Sequence, residues 1–236
     1  MVPEDAASYP VGDPMKRAVS LLSGGLDSFV AAGIARKNYR LSAITISYGQ
    51  RHSREIEAAR DIALFLGVEE HRVVECDLSW VASALTNADD SVSSSHLEEI
   101  PSTYVPGRNT IFISIALAYA ETIGADAVVT GINCVDYSGY PDCRPAYLEA
   151  FQRLVSCGLR KTVEGGQLLL YTPLLYYSKQ KIILEGIGLG LDLSLSWSCY
   201  EGGEYPCGVC PSCRIRAEGF KKAEIADPAM RRKKGC

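Results

Sequence analysis

Short apolar runs alternate with longer stretches of helical periodicity along this chain. The first run, Ala18-Val19-Ser20-Leu21-Leu22, reads as a strand, and an apolar, helix-compatible segment, Phe29 to Ala35, follows it closely. Residues 41–48, Leu-Ser-Ala-Ile-Thr-Ile-Ser-Tyr, read as a second strand. Glu55 to Leu66 has helical spacing, with Ser53 placed as its N-cap and Gly67 as its stop. His71 to Cys76 is a third strand. The order β-α-β-α-β with short connections predicts a parallel, doubly wound sheet with right-handed crossovers. Such sheets bind ligands at the carboxyl ends of their strands.

The second half continues the alternation. Trp80 to Leu85 reads as a short helix, and residues 86–103 as a long polar loop. Thr110 to Ile123 is strongly apolar and predicts a core helix, capped by Asn109 or Thr110. Asp126 to Gly131 is a fourth strand, Pro145 to Cys157 a helix, and Gln167 to Tyr171 a fifth strand. Ser178 is placed to cap a helix that starts at Lys179 and ends near Gly186. The expected fold is α/β: a five-stranded, mainly parallel sheet with helices on both faces.

Composition narrows the classes. A length of 236 residues allows one large domain, or one domain and a small appendage. The net charge of −4 gives no general attraction for nucleic acid, and Arg231-Arg232-Lys233-Lys234 reads as a solvated tail. With no run of 18 apolar residues, no spanning helix is expected. Met1 to Pro14 is polar and proline-bearing and reads as a loose arm rather than a signal peptide. The nine cysteines are therefore expected in a reduced cytoplasm, where clustering points to metal or catalysis before disulfides.

Between the first strand and its helix lies Ser23-Gly24-Gly25-Leu26-Asp27-Ser28. A strand, a glycine turn and a helix N-terminus together make an anion site, because free N–H groups and the helix dipole point the same way. Gly24 and Gly25 allow positive φ and close approach of a phosphate, and Ser23 and Ser28 add hydroxyls at the edges. The common triphosphate loop needs a Gly-Lys pair, which the chain lacks. The alternative is a plain turn with no ligand. Arg108 and Lys179 both stand at helix starts, where a cation opposes the dipole, so each fits an anion partner; solvated side chains are the other reading. The loop from Ile132 to Arg144 carries Asp136, Asp142, Tyr137 and Tyr140 at a strand's carboxyl end. It suits a planar polar heterocycle, or is a surface loop pinned by Tyr and Pro.

Cys199, Cys207, Cys210 and Cys213 are spaced Cys-x7-Cys-x2-Cys-x2-Cys. Four thiolates close a tetrahedral zinc shell and leave no position for water, so the expected site is structural. An iron–sulfur cluster uses similar spacings, but nothing else in the chain suggests redox chemistry. Cys76, Cys134 and Cys157 read as small core residues, Cys236 as exposed, and Cys143 stands in the polar loop.

These pieces occur together in a familiar order. The Ser-Gly-Gly-x-Asp-Ser turn resembles the pyrophosphate loop of the ATP pyrophosphatase superfamily. With it come Gln50-Arg51-His52-Ser53, Val105-Pro106-Gly107-Arg108-Asn109, Ser138-Gly139-Tyr140-Pro141-Asp142-Cys143-Arg144, Thr172-Pro173-Leu174 with Lys179, and the four cysteines. The set resembles the 7-cyano-7-deazaguanine synthase family of queuosine and archaeosine precursor biosynthesis, over all but residues 1–15 and 229–236. The resemblance implies an adenine nucleotide alpha hydrolase-like domain over 16–195 and a zinc-binding segment over 196–228, flanked by an arm at 1–15 and a basic tail at 229–236. It implies conversion of 7-carboxy-7-deazaguanine and ammonia to the nitrile by two adenylations, with AMP and pyrophosphate released. It places ATP on Leu22, Ser23, Gly24, Gly25, Leu26, Asp27, Ser28 and Phe29, with Mg²⁺ on the phosphates. Asp27, Arg108 and Lys179 become catalytic candidates, and Arg51, Asn109, Asp136, Ser138, Tyr140 and Asp142 hold the deazaguanine. It further implies a cytoplasmic homodimer with one structural zinc per chain, and neither membrane nor direct nucleic-acid contact. The competing readings are an ATP-dependent tRNA-thiolating enzyme of the same superfamily and a non-enzymatic zinc-knuckle interaction module.

Overall fold

The computed structural model describes residues 15–50, 52–81, 83, 85, 100, 102–135 and 139–230. The expectations for Arg51, Asp136, Ser138 and Cys236, and for nearly all of the arm, the tail and the 86–103 loop, lie outside these residues. Strands β1 (Arg17–Leu21), β2 (Arg40–Ser47), β3 (His71–Glu75), β4 (Ala127–Val129) and β5 (Leu169–Tyr171) form one sheet in the order β3-β2-β1-β4-β5. Every pairing is parallel, from Ala18 against Leu41 and Ala127 to Val129 against Tyr171. The helices are α1 (Leu26–Ala35), α2 (Arg54–Leu66), α3 (Arg108–Thr122), α4 (Pro145–Gly158), a single turn α5 (Arg160–Val163), α6 (Lys179–Gly188) and α7 (Pro211–Lys222).

A parallel sheet is covered on both faces, so its central strands are apolar throughout. Ala18, Val19, Ala127, Val128 and Val129 are fully buried. Successive side chains point to opposite faces. Ala18, Ala43 and Val129 pack with Phe29, Ile62 and Ile182, under α1, α2 and α6. Val19, Ile44 and Val128 pack with Ile113, Leu117 and Phe151, under α3 and α4. The sheet is thus doubly wound, as the alternation predicted. The chain leaves β1 toward β2 and β3, then returns to place β4 and β5 on β1's other side. The crevice between β1 and β4 is the switch point where such sheets hold ligands. Among the described residues no helix is long and apolar enough to cross a membrane.

Several local expectations change. Ser79 to Val81 form a turn and bend rather than a helix: the Asp77 carboxylate accepts from the Ser79 N–H at 2.9 Å and its carbonyl from Trp80 Nε1 at 3.1 Å. Such local bonds compete with helix formation. Ser53 precedes α2, but its backbone is already helical, and its hydroxyl donates to Glu57 Oε1 instead of capping. α3 begins earlier than predicted, at Arg108, because Gly107 takes a left-handed conformation at its cap position. Asn109 and Thr110 are therefore inside the helix. Cys157 is exposed and Cys134 only half-buried, so neither is a core residue, whereas Cys76, also half-buried, packs against the core under α3 and α4. Ser178 does cap α6, its hydroxyl accepting from the Lys181 N–H at 3.3 Å.

Helix α7 is a new element. Its buried stripe is Cys213, Arg216, Gly219 and Phe220, and an arginine in that stripe hides the apolar period. Phe220 joins the same core as Ile182 and Ile183. Arg216 is only 4% exposed and clamps Asp227 with two bonds of 2.8 and 3.0 Å. It also donates to the Ser196 hydroxyl at 2.7 Å and the Leu193 carbonyl at 3.1 Å. Removing one member of a buried charge pair strands the other, at a cost of roughly 3–5 kcal/mol. Arg216→Ala is expected to lower the melting temperature by roughly 10 °C, measured by thermal unfolding. A shift under about 2 °C would show that this clamp carries no stability.

Candidate active site

The turn after β1 is held by its own hydroxyls. The Ser23 N–H and hydroxyl donate to Ser28 Oγ at 3.2 and 3.0 Å, and Ser28 Oγ donates to the Gly25 carbonyl at 3.0 Å. No side chain caps α1, so its first-turn N–H groups remain for a ligand. Gly24 has φ +84°, and a Cβ there would lie 2.1 Å from the Glu55 carbonyl oxygen. A Cβ at Gly131, just past β4, would lie 2.6 Å from the Ser28 nitrogen. These two glycines let α2 and the end of β4 close directly onto the turn. From the far end of the chain, the Trp197 N–H donates to the Gly24 carbonyl at 2.9 Å.

A cavity of about 370 Å³ opens over this turn at the switch point. Of the residues assigned to ATP, Leu22, Ser23, Gly25, Leu26, Asp27 and Ser28 line it. Gly24 lies behind, against α2. Phe29 does not line the cavity; its ring is fully buried and meets Phe65 edge-on at 5.8 Å. It follows the turn by a full helical residue, which points it into the core.

The charged candidates meet in this cavity. Lys179 Nζ reaches both Asp27 carboxylate oxygens at 2.7 Å. Arg108 stacks 5.8 Å from the Tyr48 ring centre. Burial pushes the Tyr48 phenol up, against the lowering pull of Arg108. Asn109 and Tyr140 also line the cavity. Asp142 does not: it is buried behind, accepting the Asn109 N–H at 3.3 Å, and desolvation raises its carboxyl. It therefore supports the wall. Tyr140 shares a 2.7 Å hydrogen bond with Thr103.

Other lining groups were not anticipated. Glu55, in the first turn of α2, lines the cavity beside Tyr48 and Arg108, and burial raises its carboxyl to about 7 despite Arg108. In sequence it is an ordinary first-turn acid. His52 bonds the Cys199 carbonyl through Nε2 at 3.1 Å, and burial lowers its ring's affinity for a proton. Thr45 donates to the Leu22 carbonyl at 2.6 Å and fixes the start of the turn. Asn133 Nδ2 donates to the carbonyls of Leu174 and Tyr177. Tyr200 and Trp197 complete the aromatic wall. The Gln50-Arg51-His52-Ser53 motif points to His52, the Ile132–Arg144 loop contains Asn133, and Tyr200 adjoins Cys199, whereas nothing local marks Glu55, Thr45 or Trp197.

The four cysteine sulfurs lie within 4.8 Å of one another. With metal–sulfur bonds of about 2.3 Å, the edge of a tetrahedral shell is about 3.8 Å, and Cys207 and Cys213 sulfurs are 4.0 Å apart. Backbone N–H groups of Glu201 and Cys207 point at Cys199 Sγ, and those of Val209 and Cys210 at Cys207 Sγ, at 3.3–3.4 Å. Such bonds favour thiolate. A bond with Cys213 lowers Cys210 to about 5, and the same bond pushes Cys213 up. Crowded sulfurs of this kind fit a metal cation.

The turn can hold a polyphosphate, Lys179 and Arg108 can neutralise it, and Asp27 can face a divalent cation. The aromatic wall can hold a flat ring. A family model described as "Queuosine biosynthesis protein QueC" matches residues 17–224. Similar proteins named 7-cyano-7-deazaguanine synthase come from Synechococcus sp., 47% identical over 90% of this chain and 98% of the relative, and from Gloeothece citriformis, 52% identical over 88% and 92%. Another from Microcystis aeruginosa is 48% identical over 93% and 99%.

Proposed function

The chain belongs to the family described as queuosine biosynthesis protein QueC, and from that premise we propose that it is an ATP-dependent 7-cyano-7-deazaguanine synthase. The observation that carries this reading is the convergence of the Ser23–Ser28 turn, the Asp27–Lys179 pair and Arg108 on one cavity with an aromatic wall. A carboxylate is a poor electrophile. Its oxygen becomes a leaving group when it attacks the α-phosphate of ATP and pyrophosphate departs. Ammonia then displaces AMP to give the amide. A second adenylation, on the amide oxygen, lets AMP leave again and the nitrile form.

The residues mostly position and neutralise. Ser23, Gly25 and Ser28 cradle the pyrophosphate. Lys179 and Arg108 offset the charge that develops as it leaves. Asn109 and Tyr140 orient the deazaguanine, with Arg51, Asp136 and Ser138 assigned to the same ring. Asp27 would help hold Mg²⁺, which would supply positive charge to the phosphates. Zinc on Cys199, Cys207, Cys210 and Cys213 would be structural, and the same reading carries a cytoplasmic homodimer. With all four clustered sulfurs close enough to hold one cation, none of the four is left over to carry a persulfide, which weighs against tRNA thiolation by the cluster.

Purified chain supplied with Mg-ATP is expected to release pyrophosphate only when 7-carboxy-7-deazaguanine is added, and to form nitrile only with ammonia as well. Mass spectrometry of the product checks this. ATP turnover that ignores the deazaguanine, or that needs tRNA, would refute it.

A further inference from the structure

Ammonia enters this reaction with its hydrogens, and the nitrile nitrogen keeps none of them. Each must leave as a proton, so the cavity needs an acceptor beside the reacting carbon. Three lining groups have acceptor atoms of suitable kind. Asp27 has both oxygens on Lys179 at 2.7 Å. His52 is fixed by the Cys199 carbonyl and wedged against Gly202, where a Cβ would lie 2.2 Å from its ring. Glu55 remains. Among the described residues no hydrogen bond or ion pair within 4.0 Å engages its carboxylate, and its own backbone carbonyl is pressed on Gly24, which fixes it beside the phosphate turn.

We propose that Glu55 is a catalytic residue of the nitrile-forming steps, whose carboxylate takes the protons that leave the substrate nitrogen. This rests on the synthase reading above. When ammonia attacks the acyl adenylate, the C–N bond forms, the C–O bond breaks with its electron pair going to AMP, and an N–H proton passes to Glu55. When the amide oxygen attacks ATP, pyrophosphate leaves and a second N–H proton passes to Glu55, giving the O-adenylated imidate. The last N–H proton then passes to Glu55 as the C–O bond breaks with its electron pair going to AMP and the triple bond closes. The proton passes to solvent between steps. A base acting in neutral solution works best when it titrates near neutrality; Glu55 does so at about 7. The charged or titratable groups that line the cavity with it are Arg108 from α3, Tyr48 and His52 from the segment after β2, Asp27, Lys179, Tyr140, Cys143, Tyr200 and Arg216 from α7.

The test uses the full chain, 7-carboxy-7-deazaguanine, Mg-ATP and ammonium, at constant free ammonia across pH. Substrate-dependent ATP–pyrophosphate exchange reports the first adenylation, which needs no proton acceptor. Nitrile formation reports the later steps. Glu55→Gln is expected to keep exchange within about threefold and to lose nitrile formation by about 10²–10⁴-fold. Wild type is expected to lose activity as pH falls below about 7, where the carboxylate protonates, and Glu55→Gln to lose that acidic limb. Glu55→Asp should recover part of the rate and keep a limb. Nitrile formation unchanged in Glu55→Gln, or exchange falling in parallel with it, would overturn the assignment. Wild type showing neither exchange nor nitrile would instead overturn the synthase reading.

Discussion

Gly24→Ala is expected to lose substrate-dependent pyrophosphate exchange by about 10²–10³-fold. The left-handed backbone at Gly24, φ +84°, costs a residue with a Cβ about 1–2 kcal/mol by itself. The larger effect is steric. The added carbon would meet the Glu55 carbonyl oxygen at 2.1 Å and the Ala59 nitrogen at 3.1 Å, both backbone atoms that cannot rotate away. Either α2 retreats or the turn shifts, and a shift of about 1 Å is enough for a loss of about 10²-fold. Gly188→Ala, at the end of α6, is the matched control. Gly188 has no left-handed backbone, and an added Cβ there meets nothing within 4 Å. It is expected to retain exchange within about threefold. Exchange rates and melting temperatures of the two variants check this, and equal activity would show that the turn's seat on α2 is irrelevant to phosphate binding.

Cys210→Ser is expected to cut bound zinc from about one atom per chain to near none and to lower nitrile formation by more than about 10²-fold. Cys210 is the residue from which α7 departs, and Pro211 starts that helix. Between Tyr200 and Cys210 the chain forms turns and bends without strand or helix, so little besides the sulfurs defines its path. If the cluster opens, the anchor of the 196–200 strap is lost. That strap carries both the Trp197 bond to Gly24 and the Cys199 carbonyl that holds His52. Metal analysis beside the activity assay checks the prediction, and a chelator on wild type should reproduce it. A metal-free chain with full activity would refute a structural zinc. A cysteine variant that keeps its metal and loses only activity would favour sulfur transfer.

The layers of the fold were legible because their signals are repeated. Strands such as Ala127–Val129 are apolar on both faces, and helices such as Arg54–Leu66 present a clear buried stripe ending at a left-handed glycine. The ends were less legible, because caps depend on backbone angles. Ser53 looks like a cap and is not one, whereas Gly107 is one and has no side chain to announce it. In the site, the residues that line a loop could be read from local order. Those brought in by tertiary packing could not. Arg216 interrupts an apolar stripe, and its buried partners Ser196 and Asp227 stand on either side of it in sequence. The resemblance places Phe29 on the nucleotide, but its ring is fully buried and packs edge-on against Phe65.

The bond from the Trp197 N–H to the Gly24 carbonyl also orders events in time. A ribosome delivers residue 24 early and residue 197 roughly ten to thirty seconds later at ordinary rates of synthesis. During that interval the nascent chain has a phosphate turn but no strap across it, and its aromatic wall lacks Trp197 and Tyr200. Completion waits for the cysteine segment to emerge and close its cluster. On the structural-zinc proposal, zinc supply would act as the last checkpoint of maturation, and a chain made without zinc would hold a folded sheet whose first-made loop is still unfastened.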